Sequence, residues 1–503
     1  MSKRVRAIVA ALICLAVLVG ALLAITFWPE KDDTENNGSN VSGITGSEDE
    51  SEQYGNVKVY EFEVDNVRDI TVENTVGGYT LSYVKSKTWT LKGVDSGFLT
   101  EEDLDSVLAT ATEFVAVKLI AEKPTNMEAY GLDEPLATAT IKYNTGETIT
   151  VLVGDTNSSG GVYVYLKEND KIYLTESSWS DVFLLKNSAF IDLTVVDAIE
   201  NDEDGNEVDP KITKITYTGP ALKNPIVIEQ NPEYLTQVKE VEENAGEDDA
   251  EQTVYASEFM FTSPMVADIS NDAFDGMQYA YYGLAATDVY SFKPTSKQLS
   301  DCGLSSPQVV ISLFDKNGTT KINLGKKVTI EEVEYYYVTA TGKTPIYIVE
   351  ASNFTFFEED LIDYMSAIVV NVLIDDIKTM TFEIGDDKYV FEQSGSGDAL
   401  VVRYNGKKVS TAEYRDLYQL VMLVYCEESV EPNEYKGDGD IKITYTYHER
   451  EKVDVVEYVK VATRKYMIRR NGSDLALVRS KYVDTLVFGV TELISGRDVP
   501  SDY

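Results

Sequence analysis

One histidine, three cysteines and 85 carboxylates are what this 503-residue chain offers to chemistry. Nucleophilic catalysis by a Ser-His or Cys-His pair would have to centre on His448, with Cys426 as a thiol candidate. The chain has no G-x-S-x-G elbow, and His448 sits in the alternating run YTYHER, which predicts a solvent-facing strand residue. A zinc site needs several His or Cys ligands and cannot be assembled. Glu200 to Gly205 resembles the start of a calcium loop, but its twelfth position is Lys211, where a bidentate acid is required, so it reads as a polar hairpin tip. Ser394-Gly395-Ser396-Gly397 lacks the Lys of a phosphate loop and reads as a turn. Glu176 and Glu350 recur at matching positions before Ser-containing turns, which predicts a structural role such as capping a closing helix. The 33 tyrosines include the run Tyr335, Tyr336, Tyr337, which offers a ligand surface for sugars or peptides, although core packing with hydroxyls at the rim is the favoured reading of the tyrosines. No constellation names a reaction, and a non-catalytic protein without cofactor or metal is the expectation.

The elements that carry these residues repeat. YGLDEP from Tyr130 returns as CGLSSP from Cys302, and the strands and turns behind each motif follow in the same order. Gly131 and Gly303 stand 172 residues apart, as do Gly146 and Gly318. So constant an offset means one folded unit used again. The stretch from Ile441 reads as a third, eroded copy, with Asn433-Glu434-Tyr435 where the turn motif should be. Within the motif, Gly131 and Gly303 are expected at a left-handed turn, Pro135 and Pro307 at the start of a strand, and Tyr130, Leu132 and Leu304 as its structural companions. The first copy predicts short strands, then a helix carrying Leu104, Val107, Leu108, Ala111, Val115 and Leu119 on one face, then strands again. Ser410 with Glu413 predicts the matching helix start in the third copy, and Ser270 a weaker one in the second. Strands and helices joined by tight turns make each unit α+β, a mostly antiparallel sheet with packed helices.

Ahead of the repeats, Ala7 to Trp28 carries no charge and follows Lys3, Arg4 and Arg6. Its length matches a ~30 Å hydrocarbon core, and the flanking charges place the N-terminus in the cytoplasm. A cleaved signal peptide would have a shorter apolar run and a small-x-small end, so an uncleaved transmembrane anchor is the expectation. The resulting plan is residues 1–29 as cytoplasmic tip and anchor, 30–57 as an acidic flexible tether, 58–195 and 196–366 as two repeat domains, and 367–503 as a degenerate third. An acidic insertion near 229–252 has no counterpart in the first copy and reads as solvated. The net charge of −41 argues against nucleic acid as a partner. Cys302 and Cys426 are too few to staple the repeats and read as free thiols.

YGLDEP, NTGETITVLVG and VYVYLKENDKIYLTESS together resemble the DUF4340 family, bacterial extracytoplasmic domains of unknown function. The resemblance covers Lys58 to Leu193 well and Thr213 to Ser366 recognisably. It implies a membrane-anchored envelope protein, single-pass with the bulk of the chain outside, accessory to an ABC-type transport system. The membrane, through the N-terminal helix, and membrane transport or envelope proteins are the partners it implies. No active-site residues carry over. A scaffold or partner-binding role is therefore expected, with a cell-wall glycan or peptide binder using the tyrosine-rich strands as the alternative.

Overall fold

The structure is a computed structural model that describes residues 56–501 apart from 85–87, 95, 101 and 245–253. Alternating burial drives it. In Ala137–Tyr143 every second side chain is buried, and Ile441–Tyr447 repeats the pattern, as half-covered strands require. Such strands build three large antiparallel sheets. In space the first runs Thr88–Leu91, Tyr79–Val84, Val67–Asn74, Ala137–Tyr143, Thr148–Thr156, Gly161–Leu166, Lys171–Glu176, Lys118–Glu122. The second runs Ala267–Asp268, Phe259–Ser263, Ile226–Gln230, Lys214–Thr218, Val309–Asp315, Gly318–Ile330, Val333–Ala340, Ile346–Glu350, Asp288–Ser291. The third runs Lys407–Lys408, Val401–Tyr404, Asp387–Ser394, Ile377–Ile384, Ile441–Tyr447, Val453–Ala462, Lys465–Arg470, Ser473–Arg479, Glu428–Ser429.

One rule generates all three. A meander is followed by an excursion, and a second meander returns beside the first strand of the first one. A strand from the excursion then closes on the last strand. The first sheet differs only in lacking the outermost strand of its first meander. Repetition in the sequence is thus repetition of topology, and the eroded third copy follows the full nine-strand order.

The predicted class needs correction. Antiparallel strand dominates, and the helices are few and short. The helix expected to reach Leu119 stops at Thr112, and Glu113–Ala116 continues as a strand paired with Val57–Glu61. Its burial alternates, with Phe114 and Ala116 inward, and Phe114 stacks on Trp179 at 3.9 Å. Period two wins there because the segment pairs as a strand with Val57–Glu61, which turns Val115 outward between the two buried residues. The closing helices of the first two copies shrink to 3-10 turns around Phe183 and Phe354, while the third copy closes on Ser480–Ser495. No helix among the described residues is long and apolar enough to cross a membrane. Ser480–Ser495, the longest of them, spans about 24 Å against about 30 Å required, and carries Lys481, Asp484 and Glu492. Among the described residues that finding stands against the transmembrane element of the fold class and against the placement as a single-pass cell-membrane protein. The Ala7–Trp28 run on which both rested, and most of the 30–57 tether, lie outside the described residues.

Two large cores and one small cluster, of Val459, Met467 and Leu477, hold the described parts of the sheets. Val67, Ile70, Phe114, Val151, Phe183 and their neighbours form one beneath the first sheet. The second and third sheets share another, running from Val195 to Val499. Tyrosines are part of these cores, several with their hydroxyls hydrogen-bonded, while that of Tyr445 has no partner among the described residues. Tyr60 and Tyr143 donate to the Thr110 and Ala111 carbonyls at the end of helix Glu102–Thr112, groups the helix itself leaves without partners. Tyr482 does the same for Leu420 in the third copy.

Candidate functional site

The joint between the second and third sheets leaves a cleft of about 580 Å³. One wall is helix Pro232–Asn244, started by Asn231, whose side chain accepts from the Glu233 amide at 3.0 Å. Glu233 and Gln237, one turn apart, lie on one helix face and both line the cleft. The edge of the second sheet adds Met260, Val266 and Asp268. The third sheet contributes turns and strand ends. Arg450 and Lys452 come from the turn before Val453–Ala462, Arg470 from the end of Lys465–Arg470, Asn471 from the turn after it, and Ser473 from the start of Ser473–Arg479. A hydrogen bond from the Val266 amide to Ser473 Oγ, 2.9 Å, ties the two sheets at the rim.

Its carboxylates are already engaged. Glu233 takes Arg450 at 2.7 Å on one oxygen and Lys452 at 3.0 Å on the other. Asp376 takes Arg450 at 3.1 Å, and Tyr255 accepts from the same guanidinium at 3.1 Å. Asp454, buried below, accepts from Tyr447 (2.6 Å) and Asn471 (2.8 Å) and pairs with Lys452 at 3.3 Å. Burial pushes the Asp454 carboxyl up, but those hydrogen bonds with the charges of Lys452 and Arg470 outweigh it and hold it below the usual range.

The donors are another matter. Arg470 is almost covered, and its ion pair is with Asp268, long at 3.4 Å. Asp268 is 5 % exposed, and burial, against the pull of Arg470, pushes its carboxyl above the usual range. Gln237 is 6 % exposed, and its Oε1 accepts from the Tyr255 and Ala256 amides at 3.0 Å. Its Nε2 is buried with no hydrogen-bond partner among the described residues. An amide donor left this way costs about 1–3 kcal/mol, so a site that keeps it has a reason. The cleft thus sets an engaged carboxylate at Glu233 beside an Arg470 fork with one long ion pair and a Gln237 amide donor that no described residue meets.

The residues singled out from sequence lie elsewhere. Gly131 has φ 65 and Gly303 φ 76, each at the end of a short helical turn. A second glycine explains the motif. A Cβ on Gly154 would fall 2.2 Å from the Tyr130 carbonyl oxygen, and one on Gly325 would fall 2.3 Å from that of Cys302. The turn therefore rests its backbone on the next strand, with Leu132 and Leu304 packed beside it, while Pro135 and Pro307 lie two residues before Ala137–Tyr143 and Val309–Asp315. By strand register the third copy has Val459 at this place, where it packs with Met467 and Leu477 against Tyr435. A side chain fills the space that the motif's backbone occupies in the other copies, which is why the motif is gone.

Tyr336 faces inward, against Phe354 and under Lys327, while Tyr335 and Tyr337 point the other way, Tyr337 against Tyr290. The three rings do not share a face. His448 is exposed just past the end of its strand. Glu176 and Glu350 stand at the N-cap of the closing turns, but neither side chain caps. Asp202 holds the 200–205 tip through the Asp204 and Asn206 amides. Among the described residues no group of three or more His, Cys, Asp and Glu could hold a metal ion.

The insertion near 229–252 is the main miss, since it carries a wall of the cleft rather than a solvated loop. Asn231-Pro232-Glu233 is a helix start of cap, proline and acid, and that signal was there to be read.

Residues 99–254 match the family model described as a domain of unknown function, DUF4340. Over that span the family resemblance holds, and the matched stretch runs from just before helix Glu102–Thr112 to beyond the end of helix Pro232–Asn244. No curated protein and no solved structure matches the chain.

Proposed function

We propose that this chain is a non-catalytic binding protein, a scaffold of three like sheets whose ligand or partner segment seats in the cleft between the second and third. The cleft itself supports this reading: it joins two sheets, walls in buried charge, and keeps the Gln237 amide donor without a partner among the described residues. Pockets at such joints are where binding proteins hold ligands. Its carboxylates serve as ion-pair partners, and Ser473 Oγ accepts a backbone amide, so the arrangement orients a guest better than it activates a nucleophile. The alternative, a glycan strip on the tyrosines, loses its geometry because Tyr336 turns away from Tyr335 and Tyr337.

Native mass spectrometry of the purified full chain tests the binding reading. A bound molecule that leaves on denaturation is expected, and Val266→Trp, which fills the cleft from its rim, should abolish it. Retention of the molecule by a folded Val266→Trp protein would place binding elsewhere.

A further inference from the structure

The geometry points to an oxyanion-bearing small molecule, a carboxylate or phosphate compound, as the guest of the cleft, held by Arg470, Lys452, Ser473 and the Gln237 amide. This rests on the binding reading above and adds the chemistry. The cleft lining includes three cations in a chain whose net charge is −41. Arg450 is committed to Glu233, Asp376 and Tyr255, which fixes it as the brace between the sheets. Arg470 carries five N–H donors on a rigid fork, suited to bidentate contact with an oxyanion, against one long ion pair at 3.4 Å. Lys452 has three donors, engaged at 3.0 and 3.3 Å, on a side chain 42 % exposed. Ser473 Oγ accepts from Val266, which leaves its hydrogen to donate. Gln237 Nε2 adds a buried amide donor that no described residue meets.

Asp268 is then the built-in competitor. Its carboxylate holds the place on Arg470 that a guest oxyanion would take, and both its contacts, to Arg470 and to Asn231, are long at 3.4 Å. A guest that brings its own carboxylate or phosphate replaces a poor pair with a better one. The apolar patches of Pro232, Met260 and Val266 leave room for a short carbon skeleton beside the charged group.

Isothermal titration of the full chain with citrate and with inorganic phosphate, at about 0.15 M salt where charges beyond about 8 Å are screened, tests this. Citrate or phosphate should bind with a Kd of about 1 mM or tighter, and citrate binding without phosphate would identify the carboxylate as the source. Arg470→Gln should weaken binding about tenfold or more. Asp268→Asn should strengthen it by about threefold or more, because the competing charge is gone; a merely structural role for Asp268 would weaken it. If Arg470→Gln does not fold, Lys452→Gln on the exposed rim serves, with the same direction of loss. Absence of binding by both anions to the wild type, or an Asp268→Asn protein that binds more weakly, overturns the oxyanion assignment. Spermidine and N-acetylglucosamine are the contrast. Binding of either that is lost in Val266→Trp would keep the cleft as a binding site and reject its anionic guest, whereas no bound mass and no binding of any probe would reject the binding reading itself.

Discussion

At the residue scale the turn motif and its supporting glycine make different claims. Gly131 needs its left-handed backbone, and a Cβ there meets only the Asp155 carboxyl, the far end of a side chain that can swing away. Gly131→Ala should therefore cost about 1 kcal/mol. Gly154 has no positive φ, but its Cβ would strike the Tyr130 carbonyl at 2.2 Å, and backbone cannot swing away. Gly154→Ala should cost more, about 1–3 kcal/mol. Urea midpoints of the two variants check the order, and a Gly154→Ala protein as stable as wild type would show that the turn does not rest on the strand. Asp454 makes a pH claim. Its carboxyl is held below the usual range in the folded chain, so its contribution is present above about pH 4 and lost as pH falls through the folded value. The stability gap between wild type and Asp454→Asn should accordingly be widest at neutral pH and shrink toward pH 3, as read by urea unfolding at each pH. A gap that stays constant would mean the Asp454 hydrogen bonds do not depend on its charge.

Elements show how far local signals reach. Ser410 was legible as a helix start, and its side chain does accept from the Glu413 amide at 3.3 Å. Ser270 carried the same residue type and stands at an N-cap, yet makes no side-chain cap. Thr295 with Gln298 forms a reciprocal capping box that periodicity did not single out, because the helix behind it, Ser296–Asp301, is too short to show a stripe. Ser410→Ala and Thr295→Ala should each lose about 1 kcal/mol, and Ser270→Ala close to nothing, by chemical unfolding of the full chain. Equal losses at all three sites would show that cap position rather than the hydrogen bond sets the energy. The same limit explains the helix drawn too long. Val115 and Leu119 continue the helical spacing from Leu104, but Glu113–Ala116 pairs with Val57–Glu61, and that distant pairing outranks the local pattern.

At the scale of the molecule, repetition was legible because its landmarks are glycines and turns whose backbone geometry few residues can replace. The cleft was not. Its walls come from residues 231–237, 260–268 and 450–473, some two hundred positions apart, and only the packing of two sheets brings them together. The cores carry the last prediction. The first sheet has its own core, while the second and third share one; across the divide Phe98 packs on Phe292 at 5.4 Å, and Leu193 and Val289 pack against both cores. Of the three tryptophans, Trp89 and Trp179 belong to the first core and Trp28 lies outside the described residues. Tryptophan fluorescence therefore follows the first sheet, and far-ultraviolet circular dichroism follows all three. Phe183→Ala removes a fully buried ring from the first core, and Phe382→Ala one from the shared core, each costing about 3–5 kcal/mol. Phe183→Ala should shift the fluorescence transition in urea, and Phe382→Ala should shift the dichroism transition while leaving fluorescence in place. If both variants move both signals together, the contacts of Phe98, Leu193, Val289 and Phe292 couple the sheets into one cooperative unit, and the division between the first core and the shared one has no energetic meaning.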